Sequence, residues 1–180
     1  MRRAALTLAL LALAGCGGGG EKLQGPAPSA PERIRLTSPA FHEGGTIPER
    51  FTCDGKGVSP PLRWSRVPNR AVELALLVQD PDAPGGTFVH WSLLGLSPSL
   101  RGLGEGRVPK GAVQTEQSFG HRGYGGPCPP EDDPPHRYVF DLYALGRRLG
   151  LGGGASLEEV RSAIRRAALA RGQLTASYGR

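Results

Sequence analysis

Short hydrophobic stretches, separated by polar segments rich in glycine and proline, run along most of this chain and predict β-strands. Residues 33–38 alternate between polar and apolar, as in a strand with one buried face. Residues 72–79 form an apolar run, which indicates a buried central strand, and residues 88–96 are a third strand candidate. Residues 137–145 are partly apolar on both faces, as in an inner strand of a sandwich, and a last strand is expected at residues 173–179.

One helix is predicted near the C-terminal end of the chain. Ser156 and Glu159 form a capping box at its first turn, and Gly172 is expected to end it. Its apolar face is formed by Leu157, Val160, Ile164, Ala167 and Ala168. Together these elements predict a mainly β protein, an antiparallel β-sandwich with one peripheral C-terminal helix.

The first residues of the chain are typical of an export signal. Arg2 and Arg3 precede an apolar stretch that is too short to cross a bilayer as a helix. The sequence LAGC resembles the bacterial lipobox, in which the cysteine is lipidated and becomes the new N-terminus. We therefore expect residues 1–15 to be a lipoprotein signal peptide and Cys16 to carry the lipid. The alternative is a plain signal peptide cleaved after Ala14, which would release a soluble periplasmic or secreted protein.

Residues 16–31 have almost no apolar side chains and are expected to form a flexible tether. Residues 32–180 then form the globular domain. With the lipid in place, the protein would be exported and anchored to a membrane of the bacterial cell envelope.

The net charge is moderately positive, at +6, and the arginines are scattered or helical rather than gathered in one stripe. Such a balance favours anionic partners in a general way but gives little support to nucleic-acid binding. No nucleic-acid partner is expected.

Two of the four histidines occupy unusual positions. His90 follows the loop DPDAPGG, and His136 ends a second proline-rich loop directly before a strong strand. Both imidazoles are expected at one sheet edge, where Asp80 ends the central strand and is their candidate partner. A carboxylate that accepts from one imidazole nitrogen fixes its tautomer, raises its pKa and leaves the other nitrogen as an outward donor.

Three interpretations of this cluster remain open from the residues alone. Two imidazole donors and the backbone N–H groups of the YGG loop suit a small oxyanion such as phosphate, sulfate or carboxylate. The same residues also suit a metal site of two histidines and one carboxylate. In the third interpretation the roles are structural: Asp80 caps its turn and each histidine fills a position at the rim of the sheet.

Several separated motifs, in order, resemble one known family. DPDAPGGTFVHW, GYGGPCPP and HRYVFDLYAL are similar to the phosphatidylethanolamine-binding protein family, also called Raf kinase inhibitor protein-like. FTCDGKGVSPPLRW and the closing TASYGR resemble its bacterial branch. The similarity runs from about Ile34 to Arg180, which is nearly the whole predicted domain.

The resemblance implies a sandwich of antiparallel sheets with a small anion-binding pocket at one end, and it favours an anion over a metal. Carried over motif by motif, the ligand-binding residues are Asp80, Pro84, His90, Gly126 and His136. The weaker candidates for the rim of the pocket are Ser59, Pro60, Pro61, Trp91 and Tyr124.

Two cysteines remain after Cys16. The family places the loops that contain Cys53 and Cys128 near the pocket mouth, and disulfides persist outside the cytoplasm. We therefore expect a Cys53–Cys128 disulfide.

The function expected from these features is binding rather than catalysis, because no nucleophile with a matched base stands out. The expected partners are a small anionic ligand or phospholipid headgroup and, through the lipid, a membrane; no cofactor and no metal are expected. The alternative is an inhibitor or regulator of an envelope protease or kinase, which would add a protein partner. A lesser alternative is a metal-dependent hydrolase that uses Asp80, His90 and His136.

Overall fold

The computed structural model describes residues 20–180. The predicted signal peptide, the lipidation of Cys16 and the first residues of the predicted tether lie outside the described residues. Within residues 20–180, none of the helical structure is long and apolar enough to cross a membrane.

The described chain forms strands, one short 3-10 helix and one α-helix. In order they are β1 (Arg35–Thr37), the 3-10 helix (Glu49–Phe51), β2 (Leu62–Ser65), β3 (Glu73–Asp80), β4 (Phe88–Leu96), β5 (Gly102–Leu103), β6 (Val113–Gln114), β7 (His136–Leu145), α1 (Leu157–Ala167) and β8 (Ala168–Tyr178).

The strands form two antiparallel sheets. The smaller sheet has the order β1-β2-β5, and the larger has the order β6-β4-β3-β7-β8. All eight residues of β3 are buried, because strands flank it on both sides and its two faces are covered. This position explains the unbroken apolar run in the sequence.

The two faces of β3 contribute to different parts of the core. Leu74, Leu76 and Val78 belong to the main hydrophobic cluster, which also contains Leu36 and Trp64 of the smaller sheet. A second cluster lies on the opposite face of the larger sheet and is covered by α1. It contains Ala75, Leu77, Tyr143, Leu145, Val160 and Ile164. The predicted sandwich with one peripheral helix is confirmed.

The end of the helix differs from the prediction. α1 begins with the expected Ser156–Glu159 capping box but ends at Ala167, and β8 follows at once. Gly172 lies inside β8, paired with Leu142 of β7. The pairing of β8 with β7 along its whole length outweighs the helical pattern of the alanine-rich sequence. Glycine is needed here because a Cβ at residue 172 would lie 2.6 Å from the carbonyl oxygen of Ile34.

Part of the predicted tether packs against the domain. Leu23 exchanges two backbone hydrogen bonds of 3.0 Å with Thr87, and its side chain is 3% exposed. The Tyr143 hydroxyl donates to the carbonyl oxygen of Pro28 at 3.0 Å. Residues 20–31 therefore lie along the sandwich, where their composition had suggested a free chain. Their one leucine and their backbone groups find partners that composition alone does not reveal.

We expect Gly172→Ala to destabilise the fold by about 1–3 kcal/mol, since the added methyl group overpacks the contact with Ile34, the residue before β1. Chemical denaturation followed by circular dichroism measures this change. Gly152→Ala is the matched control, because nothing lies within 4 Å of a Cβ at that position. Equal unfolding midpoints for the two variants would contradict the packing described here.

Candidate functional site

The order of the strands brings the candidate site residues together. β3 ends at Asp80, and its neighbours β4 and β7 run antiparallel to it on either side. The first residues of β4 and β7 therefore lie at the same sheet edge as the last residue of β3. His90, the third residue of β4, and His136, the first of β7, meet Asp80 there, as the sequence predicted.

A cavity of about 460 Å³, its open mouth included, lies at this edge. Four of the five predicted ligand-binding residues line it: Asp80, Pro84, His90 and His136. The other lining residues are Lys22, Ala83, Phe88, Phe119, Cys128, Pro129, Pro130 and Tyr138.

Asp80 and His136 form a buried pair at the floor of the cavity. His136 Nδ1 donates to Asp80 Oδ2 at 2.8 Å, and the two residues are 5% and 3% exposed. The other carboxylate oxygen of Asp80 accepts from the backbone N–H of Asp82 at 2.8 Å, so that the same side chain shapes its own loop. Asp82 in turn binds the Arg137 guanidinium through contacts of 2.9 and 2.6 Å. Two contacts therefore hold this loop against β7, namely the Asp80–His136 hydrogen bond and the Asp82–Arg137 ion pair.

The acidic neighbours of His136 favour its cationic form. Burial alone would lower the pKa of His136, but the hydrogen bonds and charges of Asp80 and Asp133 outweigh burial and raise it above its ordinary value. Nε2 of His136 lies 3.4 Å from Asp133 Oδ2. The stabilisation from this histidine is full below the ordinary histidine pKa and is lost as the pH rises through the raised pKa.

His90 has a different hydrogen-bond partner from the one expected. Its Nδ1 donates to the carbonyl oxygen of Gly125 at 2.9 Å, so Asp80 is the partner of His136 and not of His90. Burial lowers the pKa of His90, against smaller opposing effects from Gly125 and Asp80. A neutral imidazole that carries its proton on Nδ1 presents Nε2 as an acceptor. The surroundings therefore favour the cationic form of His136 and the neutral form of His90.

Tyr138 is a site residue that the sequence interpretation missed. Its side chain lines the cavity and is fully buried, and its hydroxyl has no acceptor for its proton within residues 20–180, although the backbone N–H of Cys128 lies close enough to lower its pKa slightly. Burial and the charge of Asp80 hold the pKa of this hydroxyl well above its usual value, so it remains a donor. The signal was present in the alternation of β7, because Tyr138 lies two residues after His136 on the same face.

Aromatic rings form the apolar wall of the cavity. The ring of Phe88 lies 4.6 Å from that of Phe119 and 5.0 Å from the imidazole of His90, measured between centroids. Tyr138 meets His90 edge to face at 5.1 Å. Phe119 comes from the loop after β6, and no motif in the sequence connects it with the histidines.

The remaining predicted site residues lie outside the cavity lining. Gly126 packs closely in its loop, because a Cβ there would lie 2.9 Å from the backbone of Thr52, and its backbone also lies beside the imidazole of His90. Trp91 is a core residue whose Nε1 donates to Gln114 at 2.8 Å, and Tyr124 donates to the carbonyl oxygen of Phe51 at 3.0 Å. Ser59, Pro60 and Pro61 also lie away from the lining.

The expected Cys53–Cys128 disulfide is present, with a Cα–Cα distance of 5.4 Å across 75 residues of sequence. The backbone N–H of Cys53 also donates to the carbonyl oxygen of Pro127 at 3.0 Å. The loop that leads to His136 is thus joined to the segment after the 3-10 helix, and Cys128 itself lines the cavity. Residues 20–180 hold no group of three or more metal-ligating side chains in a suitable arrangement.

Sequence relatives cover most of the chain. It is 40% identical to "Putative lipoprotein LppC" of Mycobacterium tuberculosis over 94% of this chain and 90% of that protein. It is 44% identical to a protein of Methanothermobacter thermautotrophicus named UPF0098 protein, over 82% of this chain and 99% of the other.

Solved structures and a family model agree with the fold. A phosphatidylethanolamine-binding protein homologue of Chlamydia trachomatis matches with a TM-score of 0.77 and 39% identity, over 83% of this chain and 99% of that chain. Escherichia coli YbcL matches with a TM-score of 0.78 and 30% identity, over 82% of this chain and 99% of that chain. The family model described as phosphatidylethanolamine-binding protein matches residues 37–179. This chain therefore belongs to the phosphatidylethanolamine-binding protein family.

Proposed function

We propose that this protein binds a small ligand bearing a phosphate or carboxylate group in the cavity at the end of β3. The observation that carries the proposal is the Tyr138 hydroxyl, whose proton has no acceptor within residues 20–180, beside the buried Asp80–His136 pair. A buried donor without a partner costs about 1–3 kcal/mol, which a ligand oxygen would remove. The acidic neighbours of His136 favour its cationic form, which supplies the charge that an anion requires.

The wall of the cavity strengthens these interactions. Phe88, Phe119 and the ring of Tyr138 exclude water and lower the local dielectric, in which charge-assisted hydrogen bonds are stronger. The neutral His90 offers an acceptor, which suits a ligand that also carries an O–H or N–H group. A headgroup with both a phosphate and an ammonium has this combination of acceptors and donors.

We further propose that the protein is an exported lipoprotein of the cell envelope that acts as a binding protein rather than as an enzyme. The LAGC sequence ending at Cys16 and the lipoprotein name of the M. tuberculosis relative support the anchor. Ser92, the hydroxyl residue nearest His90 on β4, is fully buried in the sheet, which makes it a poor nucleophile for an external substrate.

The direct test is a thermal-shift and calorimetric screen with phosphate, phosphoethanolamine and acetate. We expect at least one of these anions to stabilise the protein and His136→Ala to abolish the effect. Tyr138→Phe keeps the ring and should weaken binding by about tenfold. His42→Ala is the control, because His42 is exposed outside the cavity. Binding that is unchanged in both cavity variants would sink the proposal.

The affinity for anions should fall as the pH rises through the raised pKa of His136, since the cationic form of the imidazole binds the anion. Sulfate is the suitable ligand, because its charge stays constant between about pH 6 and 9. Asp80→Asn removes the main partner that raises this pKa, so the midpoint should move to lower pH. Titration calorimetry and histidine NMR measure both midpoints. A midpoint that does not move in Asp80→Asn would contradict the assignment.

Asp133 should compete with the ligand, since its carboxylate lies beside the Nε2 atom of His136. Asp133→Asn is expected to raise sulfate affinity by about two- to fivefold near pH 6, which lies on the acid side of the raised pKa of His136 in the unchanged protein. Asp132→Asn removes the same charge from the adjacent, exposed residue and serves as the control. Weaker binding by Asp133→Asn than by the control would show that Asp133 assists the ligand instead.

A further inference from the structure

The chain that precedes the domain forms a strap along the pocket loop; we define the strap as residues 21–24. Leu23 pairs with Thr87 through both backbone groups, and the Gln24 side chain donates to the carbonyl oxygen of Gly85 at 3.0 Å. Lys22 Nζ donates to the carbonyl oxygen of Pro84. Three consecutive strap residues are thus bonded to the loop that runs from Asp80 to β4.

Contacts away from the loop also hold the strap. The Glu21 carboxylate accepts from the backbone N–H groups of Leu157 and Glu158 at 3.0 and 3.3 Å, at the first turn of α1. The Ser118 hydroxyl donates to the carbonyl oxygen of Glu21 at 2.6 Å. The Leu23 side chain is buried in a cluster with Val89 and Leu157. These contacts fix the position of Lys22 independently of its own side chain.

We propose that Lys22 is a ligand-binding residue of the pocket, contributed by the strap and directed at a phosphate group. The inference rests on the proposed function and adds a residue that the family motifs, which begin later in the chain, do not contain. Among the described residues that line the cavity, Lys22 alone is a lysine or arginine. The strap thus supplies the permanent positive charge of the site.

The position of Lys22 suits this role. Its side chain lines the cavity from the exposed side, whereas His136 lies buried at the floor. The ammonium group lies 5.8 Å from the centroid of the Phe88 ring, at the apolar wall. An ammonium has three N–H donors, and the described contacts use one of them, for Pro84.

The two charges favour a phosphate group over a single carboxylate. A phosphate presents several oxygens in different directions, so it can be bound from the floor by His136 and from the mouth by Lys22. Free phosphate and the phosphate of a lipid headgroup share this chemistry. A monoester or inorganic phosphate carries more charge than a headgroup diester, so the experiment compares the two.

The test measures the affinity of Lys22→Gln for inorganic phosphate and for glycerophosphoethanolamine by titration calorimetry at low salt. We expect Lys22→Gln to weaken phosphate binding by about tenfold and to reduce its salt dependence. Lys22→Arg keeps the charge and should stay within about threefold of the unchanged protein. Lys110→Gln, which removes an exposed lysine outside the cavity lining, is the matched control and should bind as the unchanged protein does.

Hydrogen exchange at the Thr87 amide distinguishes loss of the Lys22 charge from displacement of the strap. This amide donates to the carbonyl oxygen of Leu23, so it exchanges faster only when the strap moves away. Unchanged protection in Lys22→Gln, together with weaker binding, supports Lys22 as a ligand-binding residue. Weaker binding of both ligands by Lys22→Gln supports a contact with the phosphate group that they share. The ligand that the unchanged protein binds more tightly shows whether the site prefers free phosphate or a lipid headgroup.

Three results would overturn the assignment of Lys22. The first is an equal phosphate affinity of Lys22→Gln and the unchanged protein. The second is a loss of affinity in Lys22→Arg as large as that in Lys22→Gln. The third is faster exchange at the Thr87 amide of Lys22→Gln, which would attribute the weaker binding to a displaced strap. Failure of the proposed function looks different, because His136→Ala would then bind as the unchanged protein does. If the unchanged protein binds no anion, both proposals fail.

Discussion

The position of β3 at the centre of an antiparallel sheet is the constraint on which the site depends. Because β4 and β7 both run antiparallel to β3, its last residue must lie beside their first residues. Asp80 and His136 are 56 residues apart in sequence, yet strand pairing alone brings them to one edge. The hydrophobic core on both faces of β3 fixes the register and thereby the distance between the carboxylate and the imidazole.

A buried ionisable pair is stable here because each of its polar atoms has a partner. Asp80 accepts from His136 and from the backbone of its own loop, so little of its desolvation is left uncompensated. The two buried histidines are shifted in opposite directions. Hydrogen bonds and charges from Asp80 and Asp133 raise the pKa of His136 despite burial, whereas burial lowers the pKa of His90, whose ring donates to a peptide carbonyl.

The strands β1, β3, β4 and β7, the end of β8, the start of the helix and the convergence of Asp80 with two histidines could be predicted, since they follow from alternation, capping and loop motifs. The short strands β2, β5 and β6 were not predicted, because two to four residues carry too little of an alternating pattern. The partner of Asp80 could not, because both imidazoles are near its strand end and the pairing depends on which side chain points inward. Gly172 was wrongly predicted to end the helix, because the local helical pattern gives no information about the long-range pairing of this segment with β7. Lys22 was missed because a segment of tether-like composition docks through its backbone, which composition does not encode.

The docked strap limits how far the pocket can stand from a membrane. Five residues lie between Cys16 and Lys22, which are therefore six Cα–Cα steps apart, and a fully extended chain spans at most about 3.6 Å per step. With the lipid that we propose on Cys16, the cavity mouth would stay within roughly 20 Å of the bilayer surface, whatever the orientation of the domain. A ligand in that leaflet would then meet the cavity at a high local concentration, which raises the occupancy of the site at any given intrinsic affinity.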